Sequence, residues 1–149
     1  MDPNRVILIA EDSEDDIDLL KIAFRRLGIK NAIQVVKDGQ EAIDYLSRSG
    51  QYVDRQRFPF PGIIFLDMKM PRKTGLEVLA WLCDHPECHI IPTMIFTSSS
   101  QESDVTRAYQ LGANSYMVKP GSLEELIECL RATMAFWNRC LIPPLPQVC

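Results

Sequence analysis

Six side chains stand where a hydrophobic run stops: Glu11 and Asp12 after VILIA, Asp67 after GIIFL, Thr97 and Ser98 after MIF, and Lys119 after SYMV. Three of them are carboxylates, and bringing them to one point is unfavourable. Two unit charges about 4 Å apart repel by roughly 4 kcal/mol at an effective dielectric of about 20, so the cluster needs a cation. Hard oxygen donors without nearby His or Cys select Mg²⁺ or a similar ion that keeps positions open for water and phosphate oxygens. Such an ion neutralises an incoming phosphoryl group, Lys119 adds a second positive contact, and Asp67 is left as the nucleophile. Taken singly, Glu11 and Asp12 also read as the opening of a helix, and Lys119 as a surface lysine. Their joint placement favours the phosphoryl chemistry. A second grouping, Cys83, His85, Cys88 and His89, has the residue types of a zinc site. Ligands crowded into one short turn would have to wrap the ion alone, whereas structural zinc usually ties two segments together. The preferred reading is that Pro86 ends a helix and these are ordinary loop or core residues.

The elements that must position these groups are legible in the hydrophobic period. Residues 5–10 are an apolar run with the look of a buried strand, and Ser13 then starts a helix, with Asp16 three residues on in the capping-box position. Ile17, Leu20, Phe24 and Leu27 step by three and four and the stripe closes at Gly28. The unit repeats: strand 32–36, a turn at Asp38 and Gly39, helix 41–46; strand 62–66, helix 75–83; strand 90–96, helix 102–111 stopped by Gly112; strand 115–118, helix 122–137. Strands apolar at nearly every position need cover on both faces, which alternating helices supply, so the sheet is parallel with right-handed crossovers. This is an α/β doubly wound fold of five strands and five helices. Ligands in such sheets sit at the carboxyl ends of the strands, where all six side chains lie.

Composition narrows the class. The chain has 149 residues, 46% hydrophobic and 24% charged, with a net charge of −4; that is a globular protein of one domain, not a disordered one. Its apolar runs fall short of the roughly 18 to 20 residues of a membrane helix, and the N-terminus lacks a signal-peptide pattern, so a cytoplasmic address is expected. The acidic balance gives no electrostatic case for nucleic acid. Five cysteines, odd in number and without framework spacing, predict reduced thiols.

Residues 5 to about 130 resemble the receiver domain of bacterial response regulators. The resemblance is carried by Glu11-Asp12 after VILIA, Asp67 in IIFLDMKMP, Gly75 eight residues later, Thr97 in MIFTSSS, Lys119-Pro120 in SYMVKP and the turn 36–39. It implies a flavodoxin-like sheet, Asp67 as phospho-acceptor, Asp12 and Asp67 as direct Mg²⁺ ligands, Glu11 acting through water, and the backbone carbonyl of Lys69 as a further ligand. It also implies Thr97 as switch hydroxyl, Tyr116 as switch aromatic, and a cis Lys119-Pro120 peptide that aims the lysine. Gly121 departs from the pattern, which commonly has an apolar residue there.

The long segment 50–61 and the ending FWNRCLIPPLPQVC resemble the stand-alone regulators paired with bacterial and cyanobacterial phytochromes. That implies a phytochrome-type sensor histidine kinase as phosphodonor, with 1–138 as receiver and 139–149 as a proline-rich tail without an output domain. Signalling would run through protein contact, with onward phosphotransfer in a phosphorelay, or a phosphorylation-independent interaction module, as alternatives. Arg55, Arg57, Phe58 and Phe60 in 50–61 read as a plain surface loop or as a partner contact. Leu130, Met134, Trp137 and Leu141 continue the helical spacing until Pro143, Pro144 and Pro146 forbid it; Phe136, Trp137 and Leu141 either fold back on their own core or meet a partner, and the resemblance to phytochrome regulators favours a homodimer through the last helix, fifth strand and tail, anchored by Trp137. Two rival folds fail on residues: a dehalogenase-type phosphohydrolase needs a second carboxylate where Lys69 stands, and a flavodoxin would need a phosphate loop where 11–16 is acidic.

Overall fold

The computed structural model describes residues 1–145, and its chain alternates strand and helix as the periodicity predicts. The strands are β1 (Val6–Ala10), β2 (Ile33–Val36), β3 (Pro61–Leu66), β4 (Thr93–Thr97) and β5 (Ser115–Val118). They form one parallel sheet in the order β2-β1-β3-β4-β5. The helices are α1 (Glu14–Arg26), α2 (Gly39–Ser47), α3 (Gly75–Cys83), a single turn α4 (Pro86–His89), α5 (Glu102–Gln110) and α6 (Leu123–Arg139). Ser13, Asp38, Thr74 and Ser122 cap α1, α2, α3 and α6, each side chain accepting from the amide three residues on. Each cap satisfies a helix-end donor that would otherwise go unpaired and is worth about 1 kcal/mol.

Strand side chains alternate between two cores. Leu8 and Ala10 of β1 face Tyr45, Val78, Leu79 and Ala108 under α2, α3 and α5. Ile7 and Ile9 face Leu20, Phe24, Leu126 and Leu130 under α1 and α6. Each fully buried aliphatic or aromatic side chain contributes roughly 1.5 to 3 kcal/mol. This double cover leaves the strand ends as the exposed rim where polar groups can sit.

Four expectations change. Pro86 opens a helical turn instead of only ending one, its fixed φ suiting the first helical position; there are therefore six α-helices among the described residues, and the fourth strand begins at Thr93, not at residue 90. Leu141 lies outside α6, which ends at Arg139 with Cys140 already in extended conformation, and it is fully exposed, whereas Leu130 and Met134 are buried and Trp137 packs on the α1–α6 core. Residues 142–145 fold back under the sheet, with an Arg5 guanidinium donating to the Pro143 carbonyl at 3.1 Å; Pro146 lies outside the described residues. The segment 50–61 is a clasp. Tyr52 and Phe58 ring-pack on Tyr45, the Tyr45 hydroxyl donates to the Pro59 carbonyl at 2.7 Å, and the Arg55 guanidinium lies 3.8 Å from the Phe60 ring while donating to Leu46 and Phe58 carbonyls. Only Arg57 of the four residues singled out faces solvent. Finally, Cys83, Cys129 and Cys140 are free thiols, but buried Cys88 is not, which departs from five reduced cysteines; Cys149 lies outside the described residues. No helix among the described residues is long and apolar enough to cross a membrane.

Candidate functional site

The site is built at the carboxyl ends of β1, β3, β4 and β5. Glu11 leaves β1 buried, at 2% exposure, with Oε1 accepting from the Ser13 amide at 3.1 Å. Asp12 beside it is exposed. Asp67 ends β3 at 5% exposure; its amide donates to the Ala10 carbonyl at 3.0 Å, which locks it next to the end of β1. The Lys69 amide approaches Asp67 Oδ1 at 3.4 Å. One carboxylate oxygen each from Glu11, Asp12 and Asp67 lie within 4.8 Å of one another. Gly75 is needed for this geometry, because a Cβ there would fall 2.3 Å from the Asp67 carbonyl oxygen. The head of α3 can therefore pack directly on the backbone that carries the acceptor.

Lys119 crosses from β5. Its amide donates to the Thr97 carbonyl at 2.7 Å, and its Nζ stands 2.7 Å from Asp16 Oδ2, 2.8 Å from Glu11 Oε2 and 3.4 Å from Asp67 Oδ2. The bond to Pro120 is trans, and no cis peptide occurs among the described residues. Trans is the lower-energy isomer by about 0.5 to 1 kcal/mol. The β4–β5 pairing already carries the lysine into the pocket. Thr97 is fully buried, and its Oγ1 faces the Ser99 amide at 3.4 Å. Tyr116 donates its hydroxyl to the Ser99 carbonyl at 2.9 Å, and Ser99 Oγ donates to Asp104 at 2.6 Å. Thr97 and Tyr116 thus meet at one loop residue. Ser98 is exposed.

Three participants went unread in the sequence. Asp16 does not close a capping box; the reciprocal bond to the α1 entry comes from Glu11, which leaves Asp16 free for Lys119. Its place in the first turn of the helix that follows β1, at the carboxyl end of the sheet, was the available signal. Ser99 and Asp104 had none, since their roles come from the shape of the β4–α5 loop.

The electrostatics are those of an under-compensated anion cluster. Burial, helped by the charge of Asp67, pushes the Glu11 carboxyl up to about 7 against the pull of Lys119 and the Ser13 amide. Burial works to lower the Lys119 pKa, but its bonds to Asp16 and Glu11 and the Asp67 charge win and hold it above the ordinary lysine range. Glu11 Oε2 is buried and lacks a well-aligned hydrogen bond, so its compensation is the charge of Lys119 alone. An all-oxygen donor set with surplus negative charge and a buried, unsatisfied oxygen fits a hard divalent cation. The zinc candidates do not converge. Cys83 bonds to the Leu111 carbonyl, His85 stacks on Trp81 at 3.8 Å, and His89 lies beside Gly112. Among the described residues, the acidic trio is the one grouping of metal-ligating type.

Known proteins share this fold. The response regulator receiver domain family matches residues 7–131. The response regulator Rcp1 of Synechocystis sp. is 33% identical over 142 residues, covering 95% of each chain. Its Mn²⁺-bound crystal structure superposes with a TM-score of 0.84 at 32% identity, covering 94% of this chain and 99% of that one. The phosphorylated cyanobacterial phytochrome response regulator RcpA gives 0.86 at 31% identity, covering 95% and 99%. RPA3017, a response regulator in red light signaling of R. palustris, gives 0.88 at 30% identity, covering 94% and 99%. This chain belongs to the response regulator receiver family and resembles its phytochrome-associated members.

Proposed function

We propose that this response regulator takes a phosphoryl group on Asp67 from a histidine of a sensor kinase, a bacterial phytochrome by likeness to RcpA, and works in the cytoplasm. The observation that carries the reading is the trio of Glu11, Asp12 and Asp67 within 4.8 Å, with Lys119 Nζ 3.4 Å from Asp67. A carboxylate oxygen of Asp67 attacks phosphorus, the P–O bond forms as the P–N bond to the donor histidine breaks, and the imidazole takes a proton. Water later hydrolyses the acyl phosphate and returns inorganic phosphate, so the chain turns over only its own modification.

Catalysis of this kind is largely positioning and charge stabilisation. Lys119 is placed to hold one phosphoryl oxygen. Asp12, Asp67 and the Lys69 carbonyl would bind Mg²⁺ directly and Glu11 through water; when bound, the ion neutralises charge on the transferring group. Phosphorylation replaces the single charge of the Asp67 carboxylate by about 1.5 to 2 negative charges on the phosphoryl oxygens, which reach further toward Thr97. Thr97 Oγ1 then has a stronger partner than the Ser99 amide. Drawing it away loosens the loop that also holds Tyr116, and the equilibrium between two loop arrangements shifts.

The output surface is read as α6, β5 and the tail. Phe136 is 61% exposed, and Val118 and Leu141 are also exposed, so an apolar stripe remains open for a second copy. Trp137, seated in its own core, is replaced by Phe136 as the anchor. Sedimentation tests this: association in the micromolar range that Phe136→Ala weakens supports the homodimer, and a monomer with and without phosphate overturns it. A phosphorelay shuttle would use the same site. The complete donor set speaks against a phosphorylation-independent module. For the acceptor itself, incubation with acetyl phosphate and Mg²⁺ is expected to give acid-stable, base-labile, aspartate-linked phosphate; absence of label with both present would overturn the reading.

A further inference from the structure

The charge along α1 is sharply divided. Residues 11–18 carry six acids and no cation, whereas residues 19–37 carry five cations, Lys21, Arg25, Arg26, Lys30 and Lys37, and no acid. Among the described residues, only Lys37 of the five has an ion pair, with Glu14. A chain of net charge −4 therefore gathers four cations without an ion pair among the described residues along the second half of α1 and just past its end, away from the phosphoryl site, which lies beside the start of α1. A scattered basic surface would look different.

The local fold turns three of these cations into a rim. Gly28 takes φ +70°, a left-handed conformation that glycine adopts without steric penalty. Its amide bonds to the Arg25 carbonyl and that of Ile29 to the Phe24 carbonyl, both at 3.0 Å, so the chain doubles back over the end of α1. Asn31 fixes the return by donating to the Asp2 and Arg5 carbonyls. The result is a hollow of about 400 Å³ with Phe24, Ile29 and Ile33 in its wall and Lys21, Arg25 and Lys30 around it. Lys21 and Arg25 are one helical turn apart and share a face.

We propose that this hollow docks an acidic segment of a partner protein, carboxylates on either side of an apolar side chain. The floor takes the apolar group and the rim takes the charges, which is the complementarity that steers and registers protein contacts. A broad polyanion fits less well, because an anionic bilayer or a nucleic acid strand laid along α1 would also meet the exposed acids Asp12, Glu14, Asp15 and Asp18. The site lies outside the phosphoryl chemistry and does not depend on it.

The test is fluorescence anisotropy with a fluorescein-labelled probe peptide, glutamates flanking a central leucine, against the same peptide with glutamine. Wild-type protein is expected to bind the glutamate probe at least about tenfold more tightly than the glutamine probe, and the double variant Lys21→Glu/Arg25→Glu to lose about that factor, since several charge pairs are removed together. Amide shifts in a titration should fall within residues 21–33. Labelling of Asp67 by acetyl phosphate in the double variant reports an intact fold, so the two readings fail separately. Equal binding of both probes, or shifts centred elsewhere, overturns the proposal. Sedimentation with phosphatidylserine vesicles, or self-association that the double variant abolishes, would reassign the surface to a membrane or to a second copy and overturn it equally.

Discussion

The acidic pocket and the 50–61 clasp are both polar arrangements against a buried core, yet they are built on opposite terms. In the clasp, hydroxyl and guanidinium groups find acceptors: Tyr45 on the Pro59 carbonyl, Tyr52 on Glu41, Arg55 on the Leu46 and Phe58 carbonyls, with Arg55 Nε, resting against the Phe60 ring, left without one among the described residues. In the pocket, Glu11, Asp16 and Asp67 share the single ammonium of Lys119 while Asp12 adds a further carboxylate beside them, and burial, helped by the charge of Asp67, lifts Glu11 well above the usual carboxylate range. The clasp lowers the free energy of the fold; the pocket raises it in the absence of a cation and keeps that surplus for ligand and phosphoryl binding. Stability and chemistry should therefore separate under mutation.

The largest separation is expected at Asp67. Asp67→Asn should abolish labelling by acetyl phosphate, and it should leave the metal-free protein as stable as wild type or up to about 1 kcal/mol more stable, since one of the crowded charges is gone. Lys119 keeps Glu11 and Asp16 as partners. Urea melts beside the labelling assay check both halves. A variant that labels at the wild-type rate breaks the acceptor assignment, and one that melts far earlier breaks the comparison.

The clasp should answer in reverse. Phe60→Ala removes a buried ring and the face on which Arg55 rests, and large-to-small changes of this kind cost about 3 to 5 kcal/mol. The labelling rate of the folded fraction should stay within about twofold of wild type, since no site residue touches the clasp. A matching loss of labelling would mean that the segment supports the pocket after all.

Within the pocket the donors should rank. Asp12→Ala removes a direct ligand, and the half-saturating Mg²⁺ concentration should rise about tenfold or more. Glu11→Gln, which keeps the shape and acts through water, should move it less. Equal affinities for wild type and Asp12→Ala overturn the ligand assignment. Thr97→Ala should still accept phosphate but blunt its effect on the 98–101 loop. Amide exchange at Ser99, whose N–H faces Thr97 Oγ1, should change on phosphorylation less in the variant than in wild type.

These variants could be chosen from the sequence only in part, and the reason is physical. Glu11, Asp12, Asp67, Thr97 and Lys119 were legible because each ends an apolar strand, and a parallel sheet brings all strand ends to one side. Helix starts were legible because Ser13 and Ser122 are caps with local signatures. What escaped was set by contacts distant in sequence. Asp16 bonds a lysine 103 residues away, Ser99 gains its role from Tyr116, and Leu141 has the right spacing for α6 but no core opposite it. The clasp read as loop because its order comes from ring packing between Tyr45, Tyr52 and Phe58, which no local period reports.

The smallest expected effect tests the clasp without disturbing its shape. Tyr45 is fully buried and its hydroxyl bonds to Pro59, so Tyr45→Phe should cost about 1 kcal/mol at pH 8. Burial also pushes the Tyr45 phenol up to about 12 from its ordinary 10. A proton held more tightly in the folded chain gives stability that is complete below the unfolded pKa and is lost as pH rises through the folded one. Between pH 10 and 12 wild type should therefore lose stability that the phenylalanine variant, having nothing to titrate there, retains. By pH 11 that loss is about 1.4 kcal/mol, as large as the hydrogen bond. The other groups titrate alike in both proteins and cancel in the difference. Urea unfolding should show wild type ahead at pH 8, and the two level or reversed at pH 11. A constant gap from pH 8 to 11 would mean that the phenol is not held in the dry, bonded setting that gives the clasp its stability.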